Sequence, residues 1–333
     1  MKQTPFTALV GCSVPIQLAG MGGVSTPKLV AAVSNAGALG MVNLSGVGGG
    51  DIAKVFDDLA ERTTRAVGAN FLMPFLDMSA VELAAERCRL VEFFYGDPQR
   101  ALVDRVHAAG ALAAWQVGSP EEARSAADAG CDLVITQGVE AGGHVRGSIG
   151  MLPLLAGALD IVDVPVIAAG GIGDGRTMAA ALAAGAAGVR IGTRFVAAEE
   201  SPAHPYYVDA LVASGPGDTT LTTAFSVMWP NAPHRVLSSC IDALAGFEGE
   251  SVGDGIVAGS PIAIPRGSVM PPDVHTTGAI EAMPLYAGQS VGAIRRRQPA
   301  HQIIEELVAG ADACLALWRA SKPAEVRLLP SPP

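Results

Sequence analysis

The most informative stretch for chemistry is the glycine-rich turn 137–144, which reads QGVEAGGH and ends in His144. It follows an apolar run that we interpret as the sixth strand of the chain, so the turn lies at a strand's carboxyl end. An imidazole titrates near neutral pH and can hold or move a proton with little tuning, and Gly142 and Gly143 would let a ligand approach. We therefore predict that His144 is catalytic and that Glu140 is a structural acceptor for nearby N–H groups.

The other five histidines lack such a setting. A lone histidine is typically structural or merely exposed, and we predict that role for all five: His107, His204, His234, His275 and His301. The arginine run at 295–297 is most simply a solvated face.

Two further glycine-rich segments, AGGIGDG at 169–175 and IGTR at 191–194, follow the seventh and eighth predicted strands. Glycine lets backbone N–H groups turn toward an anion, and the start of a following helix adds partial positive charge. The hydroxyl of Thr193 adds one more donor. Short turns also need glycine, so each loop alone leaves the structural explanation open, but both loops at this pair of strands favour a bound phosphate.

The remaining candidates suit a planar ligand. The loop 19–23 could lay backbone against a flat ring, with Met21 as an adaptable apolar contact. Asn70 ends the third predicted strand and Gln116 ends the fifth, and their neutral side chains suit the edge of a heteroaromatic ring. Each amide alone is as well explained by tying down a loop. Together with the phosphate loops they outline a site for a phosphorylated planar cofactor.

These residues can form one site only if the fold brings the carboxyl ends of their strands together. Eight short apolar runs suit parallel strands buried on both faces: Pro15–Ala19, Ala38–Val42, Arg65–Leu72, Leu90–Tyr95, Ala111–Val117, Leu133–Thr136, Val164–Ala169 and Val189–Phe195. Helical patterns alternate with them, starting at marks such as Thr26-Pro27, Ser119-Pro120 and Asp174. The alternation predicts an α/β fold, specifically a (β/α)8 TIM barrel. An open doubly wound sheet would place G-x-G-x-x-G after the first strand, and residues 20–25 do not match that pattern.

After Leu211 the alternation breaks. We expect the barrel core to cover 1–214 and an irregular, helical excursion at 215–292 to shape the substrate pocket on the active-site face. A helix is expected near 234–246. Residues 293–333 are expected to form a C-terminal helix (300–319) that packs on the barrel, followed by a frayed tail from Leu328.

Composition excludes several classes. Half of the 333 residues are hydrophobic and 16% are charged, which excludes a disordered chain. The net charge of −10 argues against a sequence-independent grip on nucleic acid. Five scattered cysteines fit neither a disulfide framework nor a zinc site, and no run of 18 apolar residues occurs. With no signal-peptide pattern either, a cytoplasmic protein without metal or membrane partner is expected.

Five stretches carry a family resemblance: PIQLAGMGGVSTPKLVAAVSNAGALGMV (15–42), GANFLMPF (68–75), QGVEAGGH (137–144), 165–201 from PVIAAGGIGDG to RFVAAEES, and YAGQSVG (286–292). In these the chain resembles the nitronate monooxygenases, which are FMN-dependent TIM barrels related to flavin-dependent enoyl-ACP reductases. The resemblance implies His144 as the catalytic histidine. It also implies a set of FMN-binding residues: Gly20, Met21, Asn70, Gln116, Gln137, Gly142, Gly170, Gly171, Gly192 and Thr193. Some members carry a lysine where Gln116 stands, and a neutral residue there could change flavin potential or substrate preference.

The resemblance implies oxidation of alkyl nitronates by O2 to a carbonyl compound and nitrite. The alternative is an NAD(P)H-dependent flavin reductase of an enoyl or other acyl thioester, since its relatives share the E-A-G-G-H turn. A non-catalytic, FMN-storing barrel is a third hypothesis. It is disfavoured because the glycine-rich turn 137–144 presents a histidine where catalysis is expected. The expected partners are thus a small-molecule substrate, O2 and, in the alternative, NAD(P)H; a homodimer is the assembly considered.

Overall fold

The computed structural model describes residues 3–45, 49–257 and 259–320. Its central element is a sheet of eight short strands, whose mostly buried residues are those of the apolar runs. The strands are β1 Ile16–Leu18, β2 Gly40–Asn43, β3 Val67–Leu72, β4 Leu90–Phe94, β5 Leu112–Val117, β6 Leu133–Gln137, β7 Val166–Ala169 and β8 Gly188–Ile191. Each overlaps one predicted strand. The largest difference is at the eighth, where the strand ends at Ile191 and a short helix starts at Thr193.

All pairings within this sheet are parallel, in the order β1-β8-β7-β6-β5-β4-β3-β2. A parallel bridge between Gln17 and Leu39 joins the β1 end of the sheet to the start of β2 and so closes it. The predicted (β/α)8 barrel is therefore confirmed, and the open sheet is excluded.

Helices follow the strands as predicted. After α1 (Pro5–Val10), the barrel helices are α2 Pro27–Asn35, α3 Gly49–Arg62, α4 Met78–Arg87, α5 Arg100–Ala108, α6 Pro120–Asp128, α7 Met151–Leu159, α8 Gly175–Ala183 and the short α9 Thr193–Val196. The carboxylate of Asp174 accepts from the Thr177 N–H (2.9 Å), and the Ser119 hydroxyl accepts from the Glu122 N–H (3.2 Å). Thr26 occupies the N-cap of α2 and Pro27 begins the helix, as predicted, although the Thr26 hydroxyl makes no capping hydrogen bond.

Inside the barrel, inward-facing side chains change character along the strands. Toward the amino ends they are apolar, and Phe6 and Val10 of α1 pack against them: Leu39, Met41, Leu90, Ala114, Leu133, Ile135 and Ile167. Because strand side chains alternate, residues two further along share the same inward row. In that row, toward the carboxyl ends, the side chains are polar: Gln17, Asn43, Asn70, Glu92, Gln116, Gln137 and Arg190. We call these seven residues the polar layer.

The chain beyond β8 contains α10 (Pro205–Ala213), α11 (Ser238–Gly246), α12 (Ala300–Ala320) and short 3-10 turns at Ile280–Ala282 and Gln289–Ala293. It also contains strands that the prediction of an irregular, helical excursion missed. Thr219–Thr222 and His234–Leu237 form an antiparallel sheet with Gly143–His144, and Ser251–Val257 pairs with Ser260–Pro265 and Thr277–Gly278. The expected helix at 234–246 therefore starts four residues later, because 234–237 pair with 219–222 and 234–235 also pair with the His144 segment.

The C-terminal helix α12 lies against α8, where Gly175 and Gly310 meet so closely that a Cβ on Gly175 would lie 2.4 Å from the Gly310 carbonyl carbon. The predicted helix at 300–319 is thus confirmed, and the predicted tail from Leu328 lies outside the described residues. None of the described helices is long and apolar enough to cross a membrane. The division into 1–214, 215–292 and 293–333 stays a prediction.

Candidate active site

The polar layer is organised around Glu92, which lies on β4 and is fully buried. Its Oε2 accepts from the Gln17 side chain (3.0 Å), and its Oε1 accepts from Asn70 (2.8 Å) and from the guanidinium of Arg190, which lies on β8. Asn43 in turn donates to Asn70 Oδ1 (2.8 Å). A buried charge is tolerated only when it is paired and hydrogen-bonded, and here the acid and the base satisfy each other.

Asn70 was predicted to end the third strand and face the cofactor. The strand instead continues to Leu72, and Asn70 lies at the centre of this network. It is 1% exposed, and both ends of its amide are engaged. Gly20 lies against it, since a Cβ on Gly20 would lie 2.4 Å from the Asn70 Cβ. Packing alone therefore requires glycine at position 20. Contact of either residue with FMN stays a prediction.

At the other side of the layer, Gln137 ends β6. Its Nε2 donates to the carbonyl oxygen of His144 (3.1 Å), which orients the side chain, and its Oε1 is buried without a partner among the described residues. In the turn that follows, both carboxylate oxygens of Glu140 accept from the Met151 N–H at 3.0 Å. The prediction that Glu140 is a structural acceptor is confirmed.

His144 lies in the short strand that pairs with His234, and aromatic rings surround it. The Trp229 ring stacks on the imidazole at a centroid distance of 4.0 Å and an angle of 24°. His234 (5.2 Å), Tyr286 (5.8 Å) and Tyr95 (6.1 Å) complete the enclosure. Nε2 of His144 is inaccessible to solvent and has no hydrogen-bond partner among the described residues.

The enclosure determines the charge of the imidazole. Burial, and secondarily the neighbouring His234, lower the pKa of His144 to about 3. His234 is itself fully buried; its Nδ1 lies 2.9 Å from the Ala232 carbonyl oxygen, and its Nε2 accepts from the Phe225 N–H (3.3 Å). Burial lowers the pKa of His234 as well. Both imidazoles are therefore neutral near pH 7, and His144 offers an unpaired nitrogen that can accept or share a proton.

Backbone strain is concentrated around the same imidazole. Among the described residues, three non-glycine residues have a clearly positive φ: Tyr95 (67°), Met228 (80°) and Asn231 (58°). Tyr95 lines the enclosure, and Met228 and Asn231 lie on either side of Trp229 in the sequence. Such conformations cost free energy and cluster at functional sites, where the surrounding structure holds them.

The two predicted phosphate loops lie at the ends of β7 and β8. Gly170 (φ 96°) and Gly171 (φ 69°) have left-handed backbones, which a side chain would strain. Thr193 begins α9, and its hydroxyl accepts from the Gly288 N–H (3.0 Å) while its own proton remains to be donated. At Gly142, a Cβ would lie 2.5 Å from that same Gly288 nitrogen, so packing requires glycine there.

Two predicted contacts complete the carboxyl-end face. Gln116 ends the polar row on β5 and is 3% exposed. The Sδ of Met21 lies 3.4 Å from where a Cβ on Gly192 would be, which brings the loops after β1 and β8 together. All predicted site residues thus lie on the barrel's carboxyl-end loops or in its polar layer, but the structure does not show them touching one ligand.

The sequence reasoning missed several residues of this site. Glu92 and Arg190 stand inside otherwise apolar strands, and a charge in such a run signals a buried partner. Trp229 and Tyr95 carried no signal beyond their residue type. His234 has the predicted structural hydrogen bonds, yet it also faces His144.

The described residues fit a planar, phosphorylated cofactor. The buried Oε1 of Gln137 can accept from a ring N–H or a hydroxyl, and the loops at 170–171 and 192–193 can direct N–H groups to a phosphate. No group of three or more His, Cys, Asp or Glu side chains in the described part of the chain could hold a metal ion.

Comparison with known proteins defines the class. A family model described as Nitronate monooxygenase matches residues 3–87 and 78–310. A relative from Rhodococcus jostii (strain RHA1), named as a (3aS,4S,5R,7aS)-5-hydroxy-7a-methyl-1-oxo-octahydro-1H-indene-4-carboxyl-CoA dehydrogenase, is 37% identical over 238 residues, 71% of this chain but just under two thirds (66%) of the relative. A probable nitronate monooxygenase from Staphylococcus aureus (strain Newman) is 28% identical over 91% of this chain and 96% of its own.

Solved structures agree with the fold. FabK from Thermotoga maritima superposes with a TM-score of 0.78 at 30% identity, covering 96% of this chain and 99% of that one. Nitroalkane oxidase from Streptomyces ansochromogenes superposes with a TM-score of 0.76 at 32% identity, covering 94% and 100%. Fold, site and relatives together define an oxidoreductase built on a (β/α)8 barrel. The chain belongs to the nitronate monooxygenase family.

Proposed function

We propose that the protein is an FMN-dependent enzyme that oxidises alkyl nitronates with O2. Two nitronate anions and one O2 would give two carbonyl compounds and two nitrite ions, which balances atoms and charge. In each nitronate the C=N bond breaks and a C=O bond forms. The observation that carries this proposal is the unpaired Nε2 of the neutral, enclosed His144 beside strand ends suited to a planar cofactor.

FMN would lie across the carboxyl ends of the strands. The loops at 170–171 and 192–193 would hold its phosphate, while Asn70, Gln116 and Gln137 would line its ring or ribityl chain. When bound, FMN would supply the redox chemistry, and the protein would supply position and electrostatics.

The side chains of the enclosure would bind the substrate and hold or move its proton. At Nε2, the neutral imidazole of His144 presents either an N–H that donates to a nitronate oxygen or a lone pair that takes the α-proton of a neutral nitroalkane, depending on the tautomer. Trp229 covers the imidazole and limits the space beside it. The phenol of Tyr95, whose pKa burial raises, stays protonated and adds a donor at the rim.

A second candidate is an NAD(P)H-dependent reductase or dehydrogenase of an acyl thioester. The CoA dehydrogenase relative favours it, because its 37% identity exceeds the 28% of the Staphylococcus relative. In that reaction His144 would act as proton donor or would position the thioester. The lowered pKa of His144 does not separate the two candidates, because an imidazole with a pKa of about 3 is neither an imidazolium donor at neutral pH nor a strong base for an α-proton.

One anaerobic experiment separates the two candidates. The purified protein, once shown to bind flavin, is mixed with propionate 3-nitronate and separately with NADH and NADPH while flavin absorbance is followed. Reduction by the nitronate alone supports the proposal, and rapid bleaching by a pyridine nucleotide supports the second candidate. A protein that binds no flavin at all would contradict both.

A further inference from the structure

A cavity of about 260 Å³ lies apart from the His144 enclosure, behind the loops that follow β7 and β8. It is bounded by the start of α8, by Arg194 on α9, by the segment from Ala293 to Gln298, and by Glu306 on α12. None of the ten residues predicted to bind FMN lines it, although Gly173, Asp174, Gly175 and Arg194 belong to the two loops that the sequence predicts to hold a phosphate. We propose that this cavity binds a phosphate group, either free phosphate or the phosphomonoester of a small molecule, in addition to the cofactor. The inference does not depend on the proposed function.

The first argument is Arg194, whose side chain is only 7% exposed. Its guanidinium donates to the Ala293 carbonyl oxygen (2.8 Å), to the Glu306 carboxylate (2.7 Å) and, at 3.4 Å, to Gln298 Oε1. Three of its five N–H donors are thus engaged. The remaining two, one on Nε and one on Nη1, have no partner among the described residues, and each can donate singly to an anionic oxygen.

The second argument is Gln298, which is 3% exposed. Its Oε1 faces the Arg194 guanidinium, which fixes the orientation of the amide. Its Nε2 is left buried with no acceptor among the described residues. Leaving a buried donor unsatisfied costs free energy, and an anionic oxygen entering the cavity would supply the missing acceptor.

The charges around the cavity favour an anion. Three arginines (Arg194, Arg295, Arg296) and two acids (Asp174, Glu306) line it, a formal charge of +1. Both carboxylates already have partners: Glu306 accepts from Arg194 and Arg296, and Asp174 caps α8 and pairs with Arg176. Within the described residues no hydrogen bond or ion pair engages Arg295. The 295–297 run is exposed, as predicted, and two of its members, Arg295 and Arg296, also line the cavity.

The size of the cavity limits the ligand. At about 30 Å³ per water molecule it has room for roughly nine waters, so it can enclose a phosphate with a small attached group and no more of a ligand than that. A phosphomonoester would then leave most of its molecule outside, along the exposed Arg295 side.

Isothermal titration of the purified protein, with whatever cofactor it retains, tests the proposal, with inorganic phosphate, adenosine 5′-monophosphate and adenosine as probes at constant ionic strength. We expect saturable binding of both phosphate probes and none of adenosine. Preference for the monophosphate, whose charge is similar to that of inorganic phosphate, identifies an ester as the ligand, and equal or weaker affinity identifies free phosphate. No saturable binding of either would overturn the proposal.

Three variants locate the binding. Arg295→Ala should weaken phosphate affinity about threefold, because an exposed charge contributes modestly. Gln298→Glu, which can still pair with Arg194, should weaken it about tenfold or more by replacing a donor with a negative charge. Arg297→Ala is the matched control, since Arg297 binds the carbonyls of Glu199 and Ser201 and does not line the cavity.

Equal effects of Arg295→Ala and Arg297→Ala would show general charge attraction and overturn the site. Loss of flavin absorbance in Gln298→Glu, or release of FMN by added phosphate, would also overturn it, because the cavity would then belong to the cofactor. A thermal melt of each variant confirms that it is folded.

Discussion

Two regions at the carboxyl ends of the strands differ in whether their buried polar atoms have hydrogen-bond partners. On one side, Glu92 and its partners bury charge and polar atoms inside the barrel, and nearly every group is paired; Gln17 Oε1 is the exception. On the other side, Gln137 and His144 keep one polar atom each unpaired, beside strained backbone. Unpaired groups cost stability, so they persist where a ligand supplies the partner. The first side holds the barrel, and the second is where binding is expected.

The largest expected effect is on the unpaired side. His144→Asn should lower turnover about 10²- to 10⁴-fold, the usual contribution of a positioned proton-transfer group, while the variant still binds flavin. Steady-state rates with a nitronate, and flavin absorbance after gel filtration, measure the two quantities. Unchanged rates would remove His144 from the mechanism.

Breaking the paired side should instead affect stability. Glu92→Gln leaves the buried Arg190 without a counter-charge and should lower the free energy of unfolding by about 3–5 kcal/mol in urea titration. Glu82→Gln is the control: it breaks the exposed pair with Arg105 and should cost at most about 1 kcal/mol. Equal losses in the two variants would show that the Glu92 network is not a special source of stability.

Opening the enclosure around His144 should weaken the contrast between the paired side, around Glu92, and the unpaired side, around His144. Trp229→Ala removes the ring stacked on His144, admits water, and should lower kcat/KM about tenfold because the substrate loses a wall of its pocket. It should also raise the pKa of His144 toward its ordinary value, because less burial penalises the imidazolium less. Trp318→Ala, at a tryptophan that is 76% exposed, should change neither quantity.

The same burial predicts a pH dependence of stability. In the unfolded chain the His144 imidazole takes up a proton near pH 6.5, but the folded protein resists protonation until about pH 3. Stability is therefore fully present above pH 6.5 and is lost progressively as pH falls toward 3, because the unfolded state binds the extra proton. The melting temperature of His144→Asn should fall less steeply over this range; parallel curves would contradict the assignment.

The smallest expected effect tests the strain. Met228→Gly should leave the protein equally stable or more stable, by up to about 1 kcal/mol, since glycine adopts φ 80° without a steric penalty but loses more entropy on folding. Ala210→Gly in the interior of α10 is the opposite control and should destabilise by about 0.5–1 kcal/mol. Destabilisation by Met228→Gly matching that of the control would show that no strain is stored at 228.

Much of the fold followed from local pattern. Apolar runs of strand length alternating with capped helices are enough to predict eight parallel strands, and glycine-rich turns mark their carboxyl ends. The boundary that failed depends on strand pairing that the local pattern did not indicate. Residues 234–237 form a strand because they pair with 219–222, and 234–235 also pair with the His144 segment some 90 residues earlier.

The sequence by itself determined the barrel, the order of its loops and the one histidine placed at a strand's carboxyl end. Only the tertiary structure decided which polar residues are already paired and which are not. Asn70 and Gln137 look alike in sequence, as amides toward the carboxyl ends of strands, yet one is engaged by Asn43 and Glu92 and the other keeps a buried oxygen unpaired. Hydrogen-bond partners come from distant strands, so their presence depends on closure of the barrel and not on any local pattern.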